Sequence, residues 1–291
     1  MNSAAYKSIF STFHPVLIFA YLLISIISCF AFMHPVYILI SFICLSAINI
    51  MLKGIQAFAS ALRMYAILIV VIAAINALFV STGNTIIFYI GTKTITFEAC
   101  IYGLCSGLML CSALICFSNW NELLSKEKFL YLFASVVPTI SMLVSMILSF
   151  VPKFIAKGRM IYDSQLAFIG SQNMNAKTKT KLAIRTTNVL AGLSLEDSIE
   201  TAAAMKAKGY SASKKRSSYE RYAWKFADTL LTCMLFVLLA LSLIFVIPNV
   251  TNFSFYPSIS SISFSIGYFF YALVLLLPLL VEGGVVLCRK L

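Results

Sequence analysis

Charge is scarce in this chain. Only 11% of its 291 residues are Asp, Glu, Lys or Arg, less than half of the roughly 25% usual in a soluble domain. Acids are the scarcest part, ten against 22 Lys and Arg, and His and Trp occur twice each. So thin a supply of titratable groups excludes an ordinary soluble enzyme. The hydrophobic share of 61% excludes a disordered chain, which needs low hydrophobicity and high charge. Sequence signatures of an energy source are missing too. There is no G-x-x-x-x-G-K-[ST] run for ATP phosphates, and Gly91-Thr92-Lys93-Thr94 lacks the upstream glycine. There is no H-E-x-x-H, no Cys/His cluster and no Ser/His/Asp set with plausible spacing. The eight cysteines fall in or at the ends of apolar runs with no C-x-x-C pair, so they read as small buried hydrophobes. His14 and His34 flank one apolar run, roughly 30 Å apart on a helix, too far to share a metal.

What is present is apolar length. Mean hydropathy is +0.95, and seven runs approach the roughly 20 residues a bilayer demands. Six are read as spans, near 15–32, 36–52, 64–80, 98–118, 228–247 and 264–288; the seventh is 129–150. The expected fold is therefore all-α, a polytopic membrane protein. Pro15 and Pro35 open the first two spans, where a missing N–H costs nothing. One Lys (Lys7) precedes the first run, and no A-x-A exit follows it, which reads as a span and not as a cleaved signal. Gly103 and Gly107 form a G-x-x-x-G in the fourth run; packing within the chain is favoured over a dedicated partner contact.

The net charge of +12 is concentrated. Fourteen Lys and Arg and five acids lie between Pro152 and Lys225, a net of +9. The chain divides into an N-terminal membrane region (1–151), a basic insert (152–227) and a C-terminal membrane region (228–291). A basic insert between membrane spans follows the positive-inside rule, which places it in the cytoplasm and disfavours a nucleic-acid role. Lys7, Lys53 with Arg63, Lys126 with Lys128, and Arg289 with Lys290 mark further inside positions; 33–35 and the Gly/Thr/Asn-rich 81–97 read as outside. Because 119–128 and the insert are both inside, 129–150 is expected not to cross. It should lie as a hydrophobic helix broken near Pro138.

Within the insert, Ser194 stands three residues before Asp197 and ahead of Leu195, Ile199, Ala202 and Met205 at helical spacing. That predicts a helix over 195–208, capped by Ser194 and stopped by Gly209. Its acids come early and Lys206 and Lys208 late, as the helix dipole prefers. Its small face, Ala202, Ala203, Ala204 and Ala207, admits a close partner. An earlier helix is expected over 153–170, starting at Pro152. Tyr219, Tyr222 and Trp224 beside Lys225 read as an interfacial anchor. Glu98 and Asp228 sit where helices begin and read as caps; Glu282, beside Gly283 and Gly284, has no assigned role. A membrane body with a basic helical insert and no engine reads as a mechanical adaptor.

Ala204-Met205-Lys206-Ala207-Lys208-Gly209-Tyr210 resembles the A-M-E-A-R-G-[YF] signature of the transmembrane T component of energy-coupling factor (ECF) transporters, the EcfT/CbiQ family. Ile95 to Leu104 is similar to that family's I-T-x-E-x-x-x-x-G-L span start, Ser149-Phe150-Val151-Pro152 to R-F-I-P, and Ser164-Gln165 to the A-Q before the first coupling motif. Trp224-Lys225-Phe226-Ala227-Asp228 resembles the family's entry to a later span, and the match runs in order over about 60–245. The resemblance implies a non-catalytic subunit of an ABC importer. It binds no cofactor itself; ATP and Mg belong to two partner ABC-type ATPases. A membrane-embedded S component captures a vitamin or a Co²⁺ or Ni²⁺ ion. The ATPase-coupling residues it implies are Ala204, Ala207, Lys208, Gly209, Ser164 and Gln165. Pro138 and Pro152 are the expected S-component contacts, and 129–150 is the helix that would meet it. The implied location is a bacterial inner membrane, with both termini and the insert cytoplasmic.

The sequence departs from that pattern in places. Lys208 stands for the family's arginine and lacks its planar fork. In the first motif the arginine position falls at Phe168 or Ile169, so that contact is apolar or is supplied by Arg159 or Lys177. Ser149 replaces an arginine. The alternative is a self-contained secondary transporter or channel. Such folds often carry internal repeats, and the two His-Pro-Val starts are the only repetition here. An intramembrane enzyme, such as a lipid transferase, would need clustered carboxylates or histidines that the sequence does not offer.

Overall fold

The computed structural model describes residues 9–80, 83–90, 93–169, 176–210, 222–256, 260 and 264–290. Lys7, Gly91, Lys214, Lys215, Arg216, Tyr219 and Arg221 lie outside them, as do the side chains of Lys93, Pro138, Ile169, Cys288, Arg289 and Lys290. In chain order the elements are α1 (Pro15–Ala31), α2 (Pro35–Lys53), α3 (Ile55–Phe79), β1 (Ile86–Ile90), β2 (Lys93–Thr96) and α4 (Phe97–Leu123). Then come α5 (Lys126–Val136), α6 (Pro138–Ile169), α7 (Ala176–Ala207), α8 (Phe226–Thr251) and α9 (Gly267–Lys290). The fold is all-α and polytopic. Among the described residues six helices are long and apolar enough to cross a bilayer: α2, α3, α4, α6, α8 and α9. The number equals the expected six, but the membership differs. α1, at 17 residues, is shorter than the others, and α6 contains most of the run expected not to cross.

Two compact units result: Met1–Phe129 with Tyr222–Leu291, and Leu130–Arg221. The first is a helical bundle. Gly54, with φ +86°, is the whole connection between α2 and α3, a backbone that side-chain-bearing residues rarely adopt. α3 therefore starts at Ile55 and carries Arg63 inside the helix, where a loop to 63 was expected. α3 packs on α4 through the glycine pair. A Cβ on Gly103 would come 2.9 Å from the Ala73 Cα, and one on Gly107 would come 3.1 Å from the Ile69 Cα. The G-x-x-x-G is thus spent inside the chain. Buried polar pairs fix the other contacts: Asn49 donates to Asn119 Oδ1 (2.8 Å) between α2 and α4, Tyr21 Oη donates to the Leu275 carbonyl (2.7 Å), and the Ser41 and Tyr271 hydroxyls share a bond of 2.6 Å. Such pairs satisfy these polar groups where water is absent.

Residues 81–97, expected as an outside loop, include the antiparallel pair β1–β2. Ile86, Ile87, Phe88, Tyr89 and Ile90 are good strand formers. Thr96 caps α4 by accepting from Ala99 N–H (3.4 Å), and the buried Glu98 carboxylate accepts from Thr85 N–H (3.2 Å). Glu98, in the first turn of α4, bonds its own backbone N–H and also fastens the segment before the hairpin, while Thr96 is the N-cap residue. Asp228 does cap, as read: its Oδ2 accepts from Lys225 N–H at the start of α8 (2.8 Å).

The second unit is built on α6 and α7, which pack as an antiparallel pair. Lys157 bonds Asp197, and a Cβ on Gly158 would meet Leu190 Cδ2 at 3.6 Å. Two sequence expectations are corrected here. Pro152 does not begin a helix; α6 runs through it from Pro138. Interior proline loses one backbone bond, and the stacked Phe150 and Phe154 (5.8 Å) and the packing on α7 span the gap. Nor does Ser194 cap a helix. α7 begins at Ala176, and the Ser194 hydroxyl donates to the Leu190 carbonyl one turn back (2.6 Å). The break before Pro138 is where the sequence places it, between α5 and α6. Helix α6 therefore joins 138–151 to the residues of the insert, and the unit boundary falls at 129/130 instead of 151/152.

Candidate functional site

The conspicuous surface of the second unit lies at the C-terminal end of α7. Lys208 N–H bonds the Ala204 carbonyl, Gly209 N–H bonds Lys206, and Tyr210 N–H bonds Met205, each at 3.0 Å. With Gly209 at φ +80° this is a Schellman stop, and it satisfies carbonyls that would otherwise dangle. Gly209 is the stop the sequence indicated. Lys208 becomes the last residue before it, a cation at the negative end of the helix dipole, exposed with Ala204, Ala207 and Gly209.

One wall of α6 faces this end. Phe150, Lys153 and Phe154 from α6 and Glu200, Ala204 and Lys208 from α7 line a groove of about 470 Å³. The Lys157–Asp197 ion pair joins the two helices along its side. Lys153 lies over the Phe150 ring, 5.6 Å from its centroid. Among the described residues Glu200, Lys153 and Lys208 have no ion pair, so one anion and two cations without an ion pair flank the groove. Small side chains, a fixed backbone end and charges without ion pairs make a surface that can receive a partner element.

The remaining site residues lie elsewhere. Ser164 and Gln165 are on α6 about ten residues beyond Phe154, roughly 15 Å along the axis, and do not line the groove. The Ser164 hydroxyl turns back to the Met160 carbonyl (2.7 Å), and Gln165 Oε1 is buried without a hydrogen-bond partner among the described residues. Phe168, where the resemblance calls for arginine, is 92% exposed. Arg159 and Lys177 are exposed as well. Pro152 sits mid-helix next to the groove residue Lys153, and Pro138 opens α6. The sequence reading missed the α6 wall of the groove, because the partners Lys157 and Asp197 are 40 residues apart. Of the apolar stripe read on this helix, Leu195 and Ile199 are 68% and 72% exposed, whereas Met205 lines the groove.

Comparison with known proteins adds no relative: no family model and no curated protein matches the sequence.

Proposed function

We propose that the chain is the transmembrane coupling subunit of an ECF-type ABC importer, passing the motion of two partner ATPases to a substrate-binding S component in a bacterial inner membrane, with the insert and both termini cytoplasmic. The observation that carries this reading is the C-terminal end of α7, where the residues of the Ala204–Tyr210 signature form an exposed, small-faced helix end stopped by Gly209. An ATPase groove would close over Ala204 and Ala207 and place Lys208 against a carboxylate or backbone carbonyls. The second ATPase would meet the far end of α6, where the protruding Phe168 offers an apolar plug in place of an arginine fork. The cargo, a vitamin or a Co²⁺ or Ni²⁺ ion, would be captured by the S component, and ATP and Mg would stay on the ATPases.

Purification from native membranes, with partners identified by mass spectrometry, tests the reading directly: two ABC-type ATPases and a small membrane protein should co-purify. Lys208→Glu should abolish ATPase association while the subunit stays membrane-inserted. A charge-assisted contact is worth about 1.5–3 kcal/mol, or roughly tenfold to a hundredfold in affinity, so Lys208→Ala should weaken association by that order. Unchanged co-purification of both variants would refute the docking role of α7. Recovery of the subunit with no ATPase would favour a self-contained transporter.

A further inference from the structure

The cytoplasmic insert returns to the bundle at Tyr222, four residues before α8 begins. Helix α8 needs only a local cap there, and Asp228 supplies it through Oδ2. The other oxygen is used differently. Asp228 Oδ1 accepts the backbone N–H of His14 (3.2 Å), 214 residues away at the head of α1. Asp228 is 2% exposed, so this second bond is shielded from water. Two more contacts reinforce it. The His14 ring lies against Trp224, 4.6 Å between centroids, and meets Tyr222 edge-on at 6.5 Å. The indole N–H donates to the Thr229 hydroxyl (2.7 Å), holding Trp224 to the first turn of α8. His14 in turn caps α1, accepting Val16 N–H on Nδ1 (3.3 Å). One carboxylate and one indole therefore bind the return point of the insert to the start of α1. From there α1 packs on α4, with the Phe19 ring edge-on to Trp120 at 5.6 Å.

We propose that Asp228 is a positioning residue for coupling: it clasps the Tyr222–Lys225 segment to the head of α1, so that displacement of the insert moves α1 and, through it, α4. The proposal rests on the coupling-subunit reading above. It assigns a site of transmission in the bundle, on residues other than the docking residues of α7. A capping aspartate alone would stabilise α8 but would not connect it to α1.

The test uses the complex purified from native membranes, compared by hydrogen–deuterium exchange with Mg-ADP and with Mg-ATP plus vanadate. In the wild type, exchange should change with nucleotide both at the end of α7 and in the first two turns of α1. In Asp228→Asn the α7 response should persist and the α1 response should be lost. The His14 amide should exchange about fivefold faster in that variant without nucleotide, as expected for one lost net hydrogen bond. Trp224→Ala, a change at a half-exposed side chain, gives the same pattern more weakly and covers a failure of Asp228→Asn to fold. An α1 response that survives in both variants overturns the clasp, as does a wild type whose α1 is silent while α7 responds. A wild type with no ATPase or no α7 response refutes the coupling reading itself, and the transmission role falls with it.

Discussion

His14 does three things with one residue: its N–H goes to Asp228, its Nδ1 caps α1, and its ring covers Trp224. Burial pushes its imidazole below the ordinary 6.5, with the Asp228 charge pulling weakly the other way. His34 repeats the cap at α2, accepting Val36 N–H on Nδ1 at 3.3 Å, and is also lowered by burial. Both rings must be neutral to accept those bonds. The unfolded chain takes up the protons more readily, so the stability from these caps is full above about pH 6.5 and is lost as the pH falls below it. Thermal unfolding in detergent should therefore show a Tm that drops between pH 7 and pH 5. In His14→Phe with His34→Phe the drop should flatten. The level will fall at every pH, because an N-cap is worth about 0.5–2 kcal/mol; the slope is the readout. An unchanged slope would place the acid sensitivity elsewhere.

At the level of elements, the close approach of α3 and α4 gives the sharpest steric prediction. At Gly103 the obstacle is the Ala73 backbone, which cannot swing aside. Gly103→Leu should cost about 1–3 kcal/mol, as overpacking does, and Gly107→Ala should cost less. Gly192 in α7 is the control: a Cβ there meets nothing within 4 Å, so Gly192→Ala should raise stability by about 0.5–1 kcal/mol. Thermal melts of the three variants decide it, and a neutral Gly103→Leu would refute the tight α3–α4 contact. The same elements show what could be read in advance. α1 and α2 were legible almost to the residue, because apolar runs opened by His-Pro carry their own limits. The groove's α7 end was legible too, since Gly209 fixes it. The first half of α7 was not. Residues 176–193 have little apolar periodicity, and only Leu182 is fully buried, so that stretch is helical because α6 lies beside it. Ser194 satisfied the capping rule in sequence, but a hydroxyl can equally bond the carbonyl four residues back, and α6 decides between the two. Proline at 152 read as a helix start for the same local reason.

For the whole molecule the open choice is whether α6 crosses. Its overall length and composition would allow it. Its charge distribution argues against it. The uncharged stretch from Pro138 to Pro152 is 15 residues, about 22 Å of helix, against a hydrocarbon core of about 30 Å. Lys153 follows at once, then Lys157 and Arg159, and Lys157 is engaged with Asp197 of α7. The run cannot borrow length from α5, because the helix breaks at Val137 before Pro138. Crossing would also put the insert, at net +9, on the side opposite Lys126 and Lys128, against the positive-inside rule. A non-crossing α6 leaves both on one side. Single cysteines at Ser125 and Lys157, in a background where Cys100, Cys233 and Cys288 are replaced, should therefore react with a membrane-impermeant maleimide from the same face of sealed vesicles. The buried native thiols should stay silent. Labelling from opposite faces would make α6 a true span, invert the insert relative to the 119–128 loop, and remove the common side on which a cytoplasmic engine has to reach it.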